Sequence, residues 1–430
     1  MEIISLIAVV SCIVILIGIW EFLNWSWFTP KKLEKKLKAQ GFRGHPYRFL
    51  FGDFKKSTEE DEALSKPMNL YDNDFTSRLM GIFDERMKQY GKYSYVWTGP
   101  TPVVTVADPE LVKEVTLKNY HFPKAPHNAL SKLLMKGIQG LEGEKWSKHR
   151  KIISPAFHVE KLKMHRRMKE ISKTVNEKIR CIVEARMKAM KAGEACGDDF
   201  LGLLLESNVK EIKEGGSKDF GLSIEDVIEE CKVLYFAGQE TTSVLLVWTM
   251  IMLGRHPEWQ DRARQEILQL FSDHETPDYT ALNHLKIVTM ILNEVLRLYS
   301  PVTGMRRITI EEETKLGDFT LPAGVILQLP TIQMHHDPEL WGEDSKEFKP
   351  ERFAEGVANA TKGQFSFLPF SWGPRVCMGQ NFAMTEARLA IAMILRRFSI
   401  EIAPSYAHYP HLTSLTLQPK YGAQLILHKL

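Results

Sequence analysis

From Ile3 to Trp20 only Ser5 and Ser11 interrupt an apolar run. As a helix, a run of that length spans roughly 27 Å, close to the thickness of a bilayer's hydrocarbon core. Trp25, Trp27 and Phe28 follow, then Lys31, Lys32, Lys35, Lys36 and Lys38. Aromatic residues suit the membrane interface, and lysines on one flank favour keeping that flank in the cytosol. No basic leader precedes the run and no small-residue cleavage pattern follows it, so a membrane anchor over residues 1–28 is expected rather than a cleaved signal.

Beyond the anchor the pattern changes to short periodic stretches. Residues 31–55, with Gly41, Gly44, Pro46 and Gly52, read as an irregular basic connector. Residues 75–90 read as helix. Tyr93–Trp97 and Val103–Val106 flank Thr98-Gly99-Pro100-Thr101, which predicts a hairpin. Asp108-Pro109 opens a short helix, and residues 145–193 are helical and basic. Ser223 with Asp226 three positions on resembles a capping box. It opens an apolar-rich helix to about Gly254, stopped by Pro257. Such a helix is roughly 46 Å long, enough to cross a whole domain. Further helices are expected around Leu285–Tyr299 and from Asn381 to Phe398. A small sheet is expected over 315–330, with strands at Leu415–Leu417 and Ala423–His428. The fold class is mainly α with a minor β-sheet region, as one domain over 29–430.

Composition narrows the function classes. The 56 basic and 53 acidic residues are interspersed and the formal charge is only +3, which gives nucleic-acid binding no support. Five cysteines, Cys12, Cys181, Cys196, Cys231 and Cys377, are widely spaced with no CxxC pair. Neither a disulfide framework nor a zinc site follows, and a reducing compartment suits the bulk of the chain.

The candidate chemistry lies in Phe370-Ser371-Trp372-Gly373-Pro374-Arg375-Val376-Cys377-Met378-Gly379, a loop just before a helix. A thiolate that binds iron needs donors near its sulfur and no bulk between backbone and porphyrin. Gly373 and Gly379 remove side chains where the backbone turns or approaches closely. Arg375 can reach a haem propionate, Phe370 can pack beside the thiolate, and the following helix N-terminus favours the thiolate form. Five positions match FxxGxRxCxG together, and the segment resembles the haem-binding loop of the cytochromes P-450, with Cys377 as the iron ligand.

That resemblance implies roles for other motifs. Glu294 and Arg297 of an ExxR pair, with Arg352 of Phe348-Lys349-Pro350-Glu351-Arg352-Phe353, would form a buried structural charge triad. Ala237-Gly238-Gln239-Glu240-Thr241-Thr242 resembles the oxygen-activation motif of the family. Gly238 costs roughly 1 kcal/mol against alanine in mid-helix, and the space it leaves beside Thr241 would admit dioxygen. Glu240 and Thr241 would manage protons. Trp146 and Arg150, a WxxxR pair, would donate to the haem propionates, as would Arg307, although Arg306 is adjacent. His335-His336-Asp337-Pro338 reads as a turn rather than a metal site. The implied cofactor is haem b, with dioxygen as co-substrate. Electrons would come from NADPH through a partner flavoprotein reductase. The implied substrate is a small apolar molecule, with terpenoids the candidate class. The implied location is the endoplasmic reticulum membrane, single-pass, with the catalytic domain cytosolic.

Finer features are similar to the plant clan that includes secologanin synthase and terpenoid hydroxylases: Gly41-Phe42-Arg43-Gly44-His45-Pro46-Tyr47-Arg48, Ser154-Pro155-Ala156-Phe157-His158, Asp199-Phe200-Leu201 and Tyr421-Gly422-Ala423-Gln424-Leu425. One departure stands out. Only 91 positions separate Trp146 from Ala237, where the family uses far more chain. The text jumps at His165/Arg166 from the end of one early helix to the start of a much later one. Several helices that cover the long helix in the family are therefore missing. The expectation is that the apolar stretch Val244–Leu253 is left uncovered. The alternative to a monooxygenase is a truncated, non-catalytic or poorly folded splice or gene-model product that keeps the haem motifs.

Overall fold

A computed structural model describes the chain except Met1, Ser414 and residues 54–65, 126–137, 154–169, 193–198, 216–220 and 272–278. The His165/Arg166 junction, the Ser154–His158 motif and Cys196 lie outside the described residues.

The long helix runs from Ile224 to Arg255, 32 residues. The Ser223 hydroxyl accepts from the Asp226 N–H, and the Asp226 carboxylate accepts from the Ser223 N–H, both at 3.1 Å. This reciprocal pair satisfies two donors that a helix start leaves orphaned. At the other end Pro257 begins a new helix, Pro257–Leu270.

The second half of the long helix forms the centre of the main core. Val244, Leu245, Trp248, Ile251, Met252 and Leu253 are buried, and Leu246, Val247 and Met250 are half-buried. The expectation of an uncovered Val244–Leu253 is therefore wrong. Cover comes from the helices Lys286–Leu298, Gln380–Leu395 and Pro257–Leu270, with Ile400 and Leu417. All of these follow the long helix in sequence, so a shortage of chain before it does not reach them. Trp248 stacks on Tyr299 at 4.2 Å and donates its indole N–H to the Leu417 carbonyl at 2.8 Å. What stands exposed is the middle of the helix: Ala237, Gly238, Gln239 and Ser243.

The first half of the long helix packs on a separate cluster. Val227, Ile228 and Cys231 meet Ile152 and Ile153 of helix Gly143–Ile153, Val183 of helix Glu170–Lys191, and Phe200 and Leu204 of helix Phe200–Gly215.

The expected hairpin forms from β1 (Tyr95–Thr98) and β2 (Thr101–Thr105), antiparallel with Tyr95 opposite Val104. The expected sheet over 315–330 does not form as one unit. Strands β4 (Thr314–Leu316) and β5 (Phe319–Leu321) make their own hairpin. Strand β6 (Ile326–Leu329) instead pairs parallel with β2 and antiparallel with β3 (Met305–Ile308), giving the order β1-β2-β6-β3. At the C-terminus, β7 (Phe398–Ile402) pairs with β10 (Leu425–Lys429), and β8 (Pro410–Leu412) with β9 (Leu417–Pro419). The helix expected over 75–90 is two helices, Thr76–Met80 and Ile82–Tyr90, broken at Gly81 with φ +49°.

Helix Glu2–Leu23 continues through a π-helical turn, Asn24–Phe28, into helix Thr29–Ala39. Val10, Ile13, Ile17 and Trp20 are exposed, and the helix is long and apolar enough to cross a membrane. Leu33 and Leu37 of the next helix are buried in the domain, which ties the end of the apolar helix to it.

His335 and His336 lie in a buried helix, Thr331–His336, and not in a turn. The His335 ring accepts from the Leu368 N–H, and the His336 ring contacts the Leu298 carbonyl, both at 2.9 Å. Among the described residues no three metal-ligating side chains cluster. Burial first, and the Arg297 charge second, push both imidazoles down to about 3. His408 is likewise pushed to about 3 by burial and then by Arg255. Three neutral histidines in the folded state mean that the unfolded chain binds more protons below pH 6.5. Stability is thus full above that pH and is lost as pH falls towards 3. Urea midpoints measured downward from pH 6.5 should fall, with proton uptake on unfolding approaching three by about pH 5, above most carboxylate titrations. A flat profile through that window would contradict the burial of these rings.

Candidate active site

The cysteine loop is shaped by two left-handed residues. Ser371 has φ +64° and Gly373 φ +71°. A Cβ at Gly373 would stand 2.8 Å from the Thr116 carbonyl oxygen, so glycine is required there for both reasons. Phe370 closes the loop through its carbonyl, which accepts from the Cys377 N–H at 2.9 Å. Gly379 needs no left-handed turn: its φ of −84° is open to any residue. Its contribution is the N–H of a helix cap. Helix Gln380–Leu395 starts just after it, and the backbone N–H groups of Gly379 and Gln380 donate to Cys377.

Cys377 is solvent-accessible. Burial by the surrounding protein pushes its thiol up, while those two N–H groups and the Arg150 charge pull it down, with a net upward direction. A coordinated metal ion deprotonates a thiol outright, and the donors at the sulfur are then in place to hold the anion.

Four of the expected residues converge beside this loop. Trp146 is buried, and the Arg375 guanidinium lies over its ring at 4.3 Å. Arg150 donates to the Val376 carbonyl at 2.8 Å. Arg375 donates to the Leu141 carbonyl at 3.1 Å and pairs with Glu142. Arg307 points to the same side: burial lowers its pKa to about 10, with Arg375 adding to the effect and Glu142 opposing it. Arg306 turns away, onto Gln328 at 2.8 Å and over the Phe83 ring. Alternation along β3 separates the two neighbours.

Two residues that the sequence did not flag complete this corner. Glu142 is one. Lys124 is the other, pushed down to about 7 by burial and then by Arg375 and Arg307, and donating to the Gln139 carbonyl at 2.6 Å. Among the described residues, two guanidinium cations and a lysine that burial makes easy to deprotonate share the Glu142 carboxylate here. The Nε atoms of Arg307 and Arg375 are buried without a hydrogen-bond partner, which is costly unless an acceptor is supplied. An open thiol with N–H donors, beside a corner with excess positive charge and orphaned guanidinium donors, fits a metal-bearing group with carboxylate arms. No short motif marks Lys124 or Glu142; their role comes from the fold.

On the long helix, Gly238 has no atom from beyond its own helix turn within 4 Å of where a Cβ would stand. The Thr241 hydroxyl donates to the Ala237 carbonyl at 2.7 Å. Glu240 does not reach Thr241 by a hydrogen bond. One of its carboxylate oxygens accepts from the Thr416 hydroxyl and the Gln418 amide, both at 2.7 Å. The acid is thus held by the β8–β9 hairpin, far along the chain.

Behind the loop, Glu294, Arg297 and Arg352 come together as expected. Arg297 grips both carboxylate oxygens of Glu294 at 2.8 Å, and Arg352 Nε lies 3.5 Å from Glu294. Glu294 and Arg297 are fully buried. The Lys349 N–H also donates to Glu294 at 2.9 Å.

Comparisons with known proteins fit this geometry. A family model described as cytochrome P-450 matches residues 65–180 and 161–427. Secologanin synthase 2 of Catharanthus roseus is 46% identical over 502 positions, covering 96% of this chain and 94% of that protein. The 7-deoxyloganic acid hydroxylase of the same plant is 44% identical over 519 positions, covering 99% of each. Echinocystic acid 23-monooxygenase of Saponaria officinalis is 41% identical over 512 positions, covering 98% of each. An alignment of 502 positions against a chain of 430 residues leaves at least 72 positions of the first relative with no counterpart here. The two family matches overlap at residues 161–180, which puts the shortening at the place read from the sequence.

Removing Arg297 tests the buried pair. Arg297→Ala strips the buried Glu294 of its two-pronged partner and leaves only Arg352 at 3.5 Å and the Lys349 N–H, and the expected loss is about 3–5 kcal/mol of unfolding free energy. Arg297→Lys should recover little, because an ammonium cannot reproduce the two-pronged grip. Denaturant unfolding of both variants reads this directly; an alanine variant within 1 kcal/mol of the parent, roughly the value of an exposed pair, would contradict it.

Proposed function

The chain belongs to the cytochrome P-450 family of monooxygenases, and on that footing we propose that it binds haem b through Cys377 and inserts one atom of dioxygen into a small apolar molecule of the terpenoid class. The carrying observation is the accessible Cys377, ringed by the Gly379 and Gln380 N–H groups and flanked by orphaned arginine donors. Trp146, Arg150, Arg307, Arg375 and Lys124 would supply donors for the propionates; Phe370 and Gly373 set the loop, and Ala237 and Gly238 would leave room for dioxygen on the long helix. When bound, the haem supplies the oxygen chemistry, driven by electrons from NADPH through a flavoprotein reductase. Glu240 and Thr241 move protons to the reacting oxygen, Thr241 through a hydroxyl that can release its Ala237 partner. The terpenoid class is supported by the relatives, one named for secologanin synthesis and one for echinocystic acid. The apolar N-terminal helix supports an anchor over residues 1–28, with the domain 29–430 on the cytosolic face of the endoplasmic reticulum.

The reduced carbon-monoxide difference spectrum tests the ligation. The parent should give the thiolate-type Soret shift, and Cys377→Ser should lose it, since a serine hydroxyl is a poor donor to this iron. A shift retained in the variant would remove Cys377 from the proposal.

A second reading, a remnant that keeps the haem motifs without catalysis, draws on one observation. Gln239 and Ser243, four positions apart on the long helix, are exposed where a substrate chamber would need walls, and the missing stretch lies just upstream. Insertion of a family-typical segment at His165/Arg166 separates the two readings. If the short chain is a remnant, haem occupancy, melting temperature and turnover all rise in the restored form. Equal values in both would favour the short chain as a working monooxygenase.

A further inference from the structure

The first half of the long helix carries a carboxylate that has no part in the proton path. Glu230 is fully buried. One of its oxygens accepts from the Ile138 N–H at 2.8 Å. The other meets Nδ1 of the buried His149 at 2.6 Å. One turn earlier on the same helix, Asp226 lies 3.8 Å from Nε2 of that ring and 3.9 Å from the Lys145 ammonium. An acid taken out of water destabilises a fold unless its oxygens are satisfied. Here both are, by partners 92 and 81 residues earlier in the chain.

Those two partners bracket one short segment. Ile138 opens it, and His149 stands in the helix Gly143–Ile153 that follows it. Between them lie the acceptors of the cationic corner beside the cysteine loop. The Gln139 carbonyl holds the Lys124 ammonium, and the Leu141 carbonyl holds the Arg375 guanidinium. Glu142 pairs with Arg375 and accepts from the Lys124 N–H at 3.3 Å. The helix itself brings Trp146 beneath Arg375 and Arg150 onto the Val376 carbonyl. His149 is the neighbour of Arg150, so the bond to its ring sets the rotation of the turn from which Arg150 projects.

The corner needs such an outside hold. After burial, the charges of Arg375 and Arg307 are what push the Lys124 ammonium down. Like charges crowded together favour splaying apart, so the backbone that carries their acceptors has to be fixed from elsewhere. Glu230 is placed to fix it at both ends, and it does so from the helix that carries Ala237 and Thr241 two and three turns further on.

We propose that Glu230 is a positioning residue for the cofactor corner. Through the Ile138 N–H and the His149 ring it fixes segment 138–142 and helix Gly143–Ile153, and so aims Lys124, Arg150 and Arg375 at the carboxylate arms of the bound group. The inference rests on the reading that haem b binds at Cys377. Outer partners of this kind change the affinity of metal-bearing sites by about 10–100-fold.

The test compares variants of the full, haem-loaded chain in two readouts: the rate at which haem passes to excess apomyoglobin, and the resonance Raman bending band of the haem propionates. Glu230→Leu removes both bonds at similar size. It should release haem about ten-fold faster than the parent or more, with the propionate band shifted. Glu230→Gln keeps an acceptor for Ile138 and an amide for His149, and should stay close to the parent in both. Asn208→Ala is the control for stability alone. Asn208 is buried in helix Phe200–Gly215 and holds both backbone groups of Leu222, at 2.6 and 3.0 Å. Its loss should lower the melting temperature without hastening haem release. Should the leucine chain not fold, Glu230→Gln combined with His149→Phe breaks only the link between the two helices and should show the same two changes. Parent-like release and band in the leucine or double variant overturn the positioning role. So does a glutamine variant as impaired as the leucine one, or a control that loses haem equally fast. A parent that never shows the thiolate-type Soret shift overturns the haem reading, and the positioning role with it.

Discussion

A guanidinium buried away from water must find acceptors for five N–H bonds or destabilise the fold. Arg297 finds all five. Two go to Glu294, two to the carbonyls of His335 and Ser345 at 2.7 and 2.5 Å, and one to the Glu347 carbonyl at 3.1 Å. Its acceptors come from three separate stretches of chain, and they close only in one arrangement. Helix Lys286–Leu298 is thereby locked to the segment that leads into the cysteine loop. The Leu368 N–H, two residues before Phe370, is held in turn by His335. The base of the cysteine loop is thus tied to this chain of satisfied donors.

A second network ties the distal side together. Arg255 at the end of the long helix donates to Asn73 and Tyr299, and Tyr299 donates to Asn73 at 2.6 Å while contacting His408. Trp248 stacks on the same tyrosine and holds Leu417. Thr416 and Gln418, on either side of Leu417, reach Glu240. The acid of the candidate proton path is thus placed by the C-terminal hairpin, and the hairpin is placed by the buried end of the long helix. Rigid support of this kind keeps a functional side chain within the tolerance that chemistry needs.

Much of the local structure was legible in the chain. The capping box at Ser223 and Asp226, the hairpin around Thr98–Thr101 and the Glu294–Arg297 spacing all formed as read, because each is governed by residues a few positions apart. The reading failed where a partner lay far off in sequence. Strand β6 left its neighbours β4 and β5 for β2, more than two hundred residues earlier. The stretch Val244–Leu253 was covered by later helices rather than left bare by the absence of earlier ones.

The sequence by itself determined the identity of the chemistry. A cysteine set between Arg375 and Gly379 before a helix, an Ala-Gly-Gln-Glu-Thr-Thr run within a long helix, and a shortened interval after Trp146 are all properties of the linear order. Only the tertiary structure decided which side chains share a site. Lys124 and Glu142 join Arg307 and Arg375 because one strand and three loop segments meet there, and Arg307 rather than Arg306 faces them because a strand alternates its sides. The division has a physical basis: helix caps and turns are fixed by local hydrogen bonds, whereas charge balance in a buried corner is a sum over groups that only the packed chain brings within range.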